Sequence, residues 1–146
     1  MTHAPPADFT VTYEWQEGSL PPPHHYSYRI TIGPTGGEIR FVPGYTFQDP
    51  PTWRESFAVP EAARTELYAR LSAAGPLPPA DEADQSVGGS IASLKWRGGT
   101  VTLSSQVERD RRPVFDDLAE RLRRLVPAEL WSDLQARRRA FQSEAP

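Results

Sequence analysis

The chain has 146 residues, 38% hydrophobic and 24% charged, with a formal net charge of −3 and no cysteine. That length suits a single domain, which on folding hides about 70% of the surface its unfolded chain exposes, and the missing thiols exclude a disulfide framework, a thiolate zinc site and a cysteine nucleophile. Nowhere do about 18 apolar residues run together, and residues 1–10 have neither the basic nor the apolar part of a secretory leader, so the expectation is a cytoplasmic protein with no membrane segment.

In chain order, Phe9, Val11, Tyr13 and Trp15 alternate with Thr10, Thr12, Glu14 and Gln16, the period of a half-buried strand. A glycine- and proline-rich run over 18–25 ends it. Tyr26, Tyr28, Ile30 and Ile32 then alternate with Ser27, Arg29 and Thr31 as a second strand. Pro34-Thr35-Gly36-Gly37 is expected to form a four-residue turn into a third strand through Ile39 and Phe41. Such a turn sets Ile32 opposite Ile39 and Ile30 opposite Phe41, with the apolar side chains on one face.

A short strand is expected over 53–58, followed by a helix with Pro60 in its first position. Ala63, Leu67, Leu71 and Ala74 line one face of that helix, and Gly75-Pro76 stops it. Residues 75–86 combine Pro, Gly and the acids Asp81, Glu82 and Asp84, which reads as an internal surface linker. Gly98-Gly99 suits a two-residue type I′ hairpin turn, pairing Trp96 with Val101, Leu94 with Leu103 and Lys95 with Thr102. From about Pro113 a helix carries Phe115, Leu118, Leu122 and Leu125 on its buried stripe, with Asp116 and Asp117 near its start and Arg123 and Arg124 near its end, as the helix dipole favours. Pro127 interrupts it, and a last helix runs through Leu130, Leu134 and Phe141. The expected fold is a single α+β domain over 1–146: a mostly antiparallel five- to six-stranded sheet with two to three helices packed on one face.

Chemistry-bearing motifs are scarce. Gly88-Gly89-Ser90-Ile91-Ala92 lacks the second glycine of a nucleophile elbow, and the paired glycines are turn material, not phosphate loops. His24 adjoins His25, but no third ligand stands at a metal-site spacing. The pair Asp116-Asp117 opens a helix, where one acid can pair with Arg121 four residues on, so neither is read as an acid–base catalyst. No catalytic residue, metal ligand or cofactor is therefore assigned.

Charge is uneven, since 11 of the 16 basic residues fall after residue 86, in runs such as Arg121-Leu122-Arg123-Arg124 and Arg137-Arg138-Arg139. A pI near 5.6 is far below the value of about 9 or more usual for nucleic-acid-binding domains, and acids stand between these runs, so no nucleic-acid partner is expected. The connection over 43–53 sets Tyr45, Phe47 and Trp53 among prolines 43, 50 and 51. Stiffened backbone can display aromatic rings with little ordering cost on association, although such a loop can equally fold back and close one end of the sheet. The functional expectation is a non-enzymatic binding or protein-interaction module with Tyr45, Phe47 and Trp53 at its partner surface. The competing expectation is a small enzyme or ligand-binding protein whose site assembles only in three dimensions. Oligomeric state is not legible.

Overall fold

The strands follow from side-chain alternation and the helices from apolar residues three and four apart. In the computed structural model, which describes residues 5, 7–16, 26–44, 50–74, 91–97, 101–104 and 112–144, these elements are β1 (Thr10–Gln16), β2 (Ser27–Gly33), β3 (Gly36–Val42), β4 (Trp53–Phe57), α1 (Glu61–Ala74), β5 (Ile91–Arg97), β6 (Val101–Ser104), α2 (Arg112–Leu125) and α3 (Ala128–Glu144). The class is α+β. Strands β4-β3-β2-β1 lie side by side, β5 and β6 continue the sheet beyond β1, and every pairing is antiparallel.

One face of β1 to β4 is apolar. Val11 and Tyr13 of β1, Tyr28, Ile30 and Ile32 of β2, Ile39 and Phe41 of β3 and Phe57 of β4 are all buried there. They form one core with Leu67 and Leu71 of α1, Phe115, Leu118 and Leu122 of α2, and Leu134 of α3. Burial of each large apolar side chain contributes about 1.5–3 kcal/mol, which is why this side holds the helices. Helix α1 is also tied to the start of β1. Tyr68 meets Phe9 edge-on at 5.1 Å, and the Arg64 guanidinium donates to the Phe9 carbonyl at 3.1 Å.

The first hairpin departs from expectation. Its loop is Pro34-Thr35 alone, because Gly33 pairs with Gly36, Ile32 with Gly37, Ile30 with Ile39 and Tyr28 with Phe41. Pro34 supplies the fixed φ of a tight turn, and Gly36 adopts φ 141°, a backbone that residues with a Cβ rarely take. Gly37 has a different reason to lack a side chain: a Cβ there would run into the Phe57 ring across the strands. The change of register is two residues, so every side chain keeps its expected face.

Other differences are small. Pro60 lies just before α1, not in its first position, and its carbonyl accepts the Arg64 N–H at 3.1 Å. Val126, just past the end of α2, is buried where Leu125 was expected to be, and Leu125 is only partly buried. The break at Pro127 is as expected, with the Pro127 carbonyl accepting the Trp131 N–H at 2.9 Å to start α3. The β5–β6 register pairs Trp96 with Val101, Leu94 with Leu103 and Lys95 with Thr102, as the Gly98-Gly99 turn requires. That turn itself, His24, His25, the stretch 75–86, Tyr45 and Phe47 lie outside the described residues. No helix among the described residues is long and apolar enough to cross a membrane.

Candidate functional site

At one end of the sheet the register lines up four aromatic residues, one from each of β1 to β4: Trp15, Tyr28, Phe41 and Trp53. They sit on the helix side. Adjacent strands are about 4.8 Å apart, so the rings stack laterally, with centroids 5.2 Å apart for Trp15–Tyr28, 6.2 Å for Tyr28–Phe41 and 6.0 Å for Phe41–Trp53. Tyr26, just before β2, stacks on Phe41 at 5.5 Å and leans on Trp15 at 4.9 Å. From α3, Trp131 closes over the row edge-on, 5.1 Å from Tyr28 and 6.4 Å from Phe41. Tyr28 and Phe41 are buried, whereas Trp15, Tyr26, Trp53 and Trp131 are half-buried.

Arginines complete the cluster. Arg138 lies 4.5 Å from the Tyr26 centroid, Arg123 5.7 Å from Trp131 and Arg137 6.0 Å from Trp53, distances at which a guanidinium is attracted to the ring face. Arg137 also pairs with Glu55 at 3.1 Å and with Asp133 at 2.6 Å, holding α3 to the edge strand β4.

Of the expected partner-surface residues, Trp53 belongs to this row, with its ring against Phe41 and beneath Arg137. The described chain leaves at Gly44 and returns at Pro50, on either side of the last β3–β4 pair, Phe41–Trp53. Gly44 and Pro50, the described residues that flank Tyr45 and Phe47 in the chain, thus adjoin the aromatic end. Trp131 was missed in the sequence, although its spacing of three from Leu134 and seven from Arg138 puts all of them on one helix face.

Within the core the Tyr28 and Tyr13 hydroxyls are hydrogen-bonded to each other, and the rings meet at 6.1 Å. Burial pushes both phenols up from their usual 10.0, Tyr28 more strongly, because the neighbouring Tyr13 and Tyr26 phenols and the hydrogen bond to Tyr13 add to the effect of burial. A buried phenol pair of this kind is an uncharged structural contact at neutral pH.

Between α1 and α2 a cleft of about 160 Å³ is bordered by Glu66, Arg70, Arg121 and Arg124. Its charges cancel. Glu66 lies 3.2 Å from Arg70 and 3.4 Å from Arg121, Asp117 lies 2.9 Å from Arg121, and Glu120 lies 2.8 Å from Arg124. Arg121 and Arg124 of α2 and Arg137 of α3 are thus matched by acids, and the Asp117–Arg121 pair is the one the spacing anticipated. No group of three histidine, aspartate or glutamate side chains able to hold a metal occurs among the described residues.

The opposite face of the sheet is polar. Register brings Glu14, Arg29, Arg40 and Arg54 into one cross-strand line. Glu14 pairs with Arg29 at 2.8 Å. Arg40 keeps its Nε buried with no acceptor, an arrangement that costs the desolvation of that donor without return. Sequence reading overlooked this line because the expected four-residue turn sets Arg29 against Val42 and Arg40 against Thr31. The chain matches no protein-family model and no curated protein.

Proposed function

We propose that this protein is a binding module without catalytic chemistry of its own, and that the aromatic end of its sheet docks a protein partner. One observation carries the reading: half-buried Trp15, Tyr26, Trp53 and Trp131 stand together with Arg123, Arg137 and Arg138 stacked on three of them. Tryptophan, tyrosine and arginine are the residue types that dominate binding energy at protein interfaces. Rings already stacked and gripped by guanidinium groups lose little freedom on association, which favours affinity. Tyr45 and Phe47, whose described chain neighbours Gly44 and Pro50 adjoin the aromatic end, extend the same surface in this reading.

The pairing of Arg121, Arg124 and Arg137 with Glu66, Asp117, Glu120 and Asp133 supports a protein partner over nucleic acid, which draws on an excess of basic charge.

The test is capture from the native cell extract with the parent chain and with Tyr45→Ala/Phe47→Ala. The expected result is a partner that the parent retains and the double variant loses, at a melting temperature within a few degrees of the parent. A double variant that keeps the partner, or that loses several kcal/mol of stability as core truncations do, overturns the assignment of the loop.

A further inference from the structure

The polar face carries a second feature, independent of the aromatic end. Arg29, Arg40 and Arg54 stand directly opposite one another on β2, β3 and β4. Neighbouring strands are about 4.8 Å apart and like charges placed opposite each other destabilise a sheet, so the protein alone does not favour this row.

One carboxylate belongs to the line, Glu14, and it is engaged with Arg29. Among the described residues Arg40 and Arg54 have no carboxylate partner. The nearest other acid on this face, Glu38, stands one pair along the strands, opposite Thr31 and Ser56.

We propose that Arg40 and Arg54, with Arg29 at their flank, bind the phosphate group of a small ligand. A single carboxylate is satisfied by one guanidinium fork and would leave the other arginine unmatched. A phosphate monoester carries a charge of about −1.5 to −2 and offers three acceptor oxygens, enough for two forks. Arg40 supplies a second reason: its Nε has no acceptor in this rotamer, and turning the guanidinium toward an oxyanion gives it one. A small ligand is favoured over single-stranded nucleic acid because the aromatic residues of β1 to β4 lie on the helix side, and bases bound to a sheet need rings to stack on.

Pyrophosphate is the probe, added to the full chain at constant ionic strength while the arginine Nε–H and backbone amide resonances are followed by NMR. Saturable shifts at Arg40 and Arg54 are expected, with about tenfold weaker binding in Arg54→Gln and unchanged binding in Arg70→Gln on α1. Arg54 is exposed on the edge strand, so its variant should fold, and Arg40→Gln provides the second reading. Shifts that fail to saturate, that persist in both variants, or that succinate reproduces at equal concentration would overturn the proposal. So would a short single-stranded oligonucleotide that binds more tightly than pyrophosphate, since the row would then belong to nucleic acid.

Discussion

Two sets of arginines in this molecule obey opposite rules. On the helices acids match Arg121 (Asp117 and Glu66), Arg124 (Glu120) and Arg137 (Asp133 and Glu55). Those of the polar sheet face stand opposite one another, and among the described residues one carboxylate, Glu14, shares their cross-strand line. Helical spacing lets a chain place an acid four residues from each arginine and neutralise it locally. In a sheet the residues directly beside Arg40 arrive from other strands, and the same-face acid of its own strand, Glu38, stands two residues away. Basic runs in sequence are therefore a poor guide to basic surface, and isolated arginines on different strands can make one.

The comparison is broken most severely by substitutions on the two sides of one strand. Phe41→Ala on the helix side of β3 removes a fully buried ring contacting Tyr26, Tyr28, Trp53 and Trp131 and should cost about 3–5 kcal/mol in urea unfolding. Its neighbour in sequence, Arg40, tests the other side. Arg40→Thr should stabilise the protein by about 0.2–1 kcal/mol by relieving like-charge opposition. A loss of similar size would show that the arginine row is satisfied in the free protein.

Alkaline pH probes the helix side at a middle magnitude. Both Tyr13 and Tyr28 hold their protons more tightly folded than unfolded, so their contribution is complete below pH 10 and is lost as pH rises above it. The loss should approach about 1.4 kcal/mol per pH unit for each tyrosine until its folded-state value is reached. Tyr13→Phe/Tyr28→Phe should flatten that dependence, read as the denaturation midpoint between pH 9 and 11. A smaller effect is expected from Arg137→Gln: its partners Glu55 and Asp133 are 36% and 52% exposed, the side chain itself is 38% exposed, and such pairs contribute about 1 kcal/mol or less. Added salt should shrink even that difference if the pairs, and not the contact with Trp53, account for it.

How much of this was legible in sequence depended on the range of the interaction. Alternation from Phe9 to Trp15 and from Tyr26 to Ile32 gave the strands and their buried faces, and Gly98-Gly99 gave the β5–β6 register, because both signals are local. The aromatic row and the arginine row require knowing which residues stand side by side on different strands. A turn at Pro34 two residues shorter than expected leaves every face intact but exchanges every partner. The hidden neighbours included Arg29–Arg40 and Tyr28–Phe41. Trp131 was within reach of helical spacing, but the pairing of Tyr28 with Phe41 that it covers was not. Tyr45 and Phe47 remain a proposal resting on Trp53, the member of their group with a described environment.

The close fit of Phe57 over Gly37 makes β4 a keyed strand. Its ring occupies the space where any other residue of β3 would project a side chain, so sliding β4 by one pleat would drive that ring into Ile39 or push it off the end of the hairpin. Five residues at the margin of a sheet would otherwise be easy to shift. Held there, β4 brings Trp53 to Phe41, Glu55 within reach of Arg137 and Arg54 beside Arg40 in a single placement, so one absent methyl group indexes the contents of both faces at once.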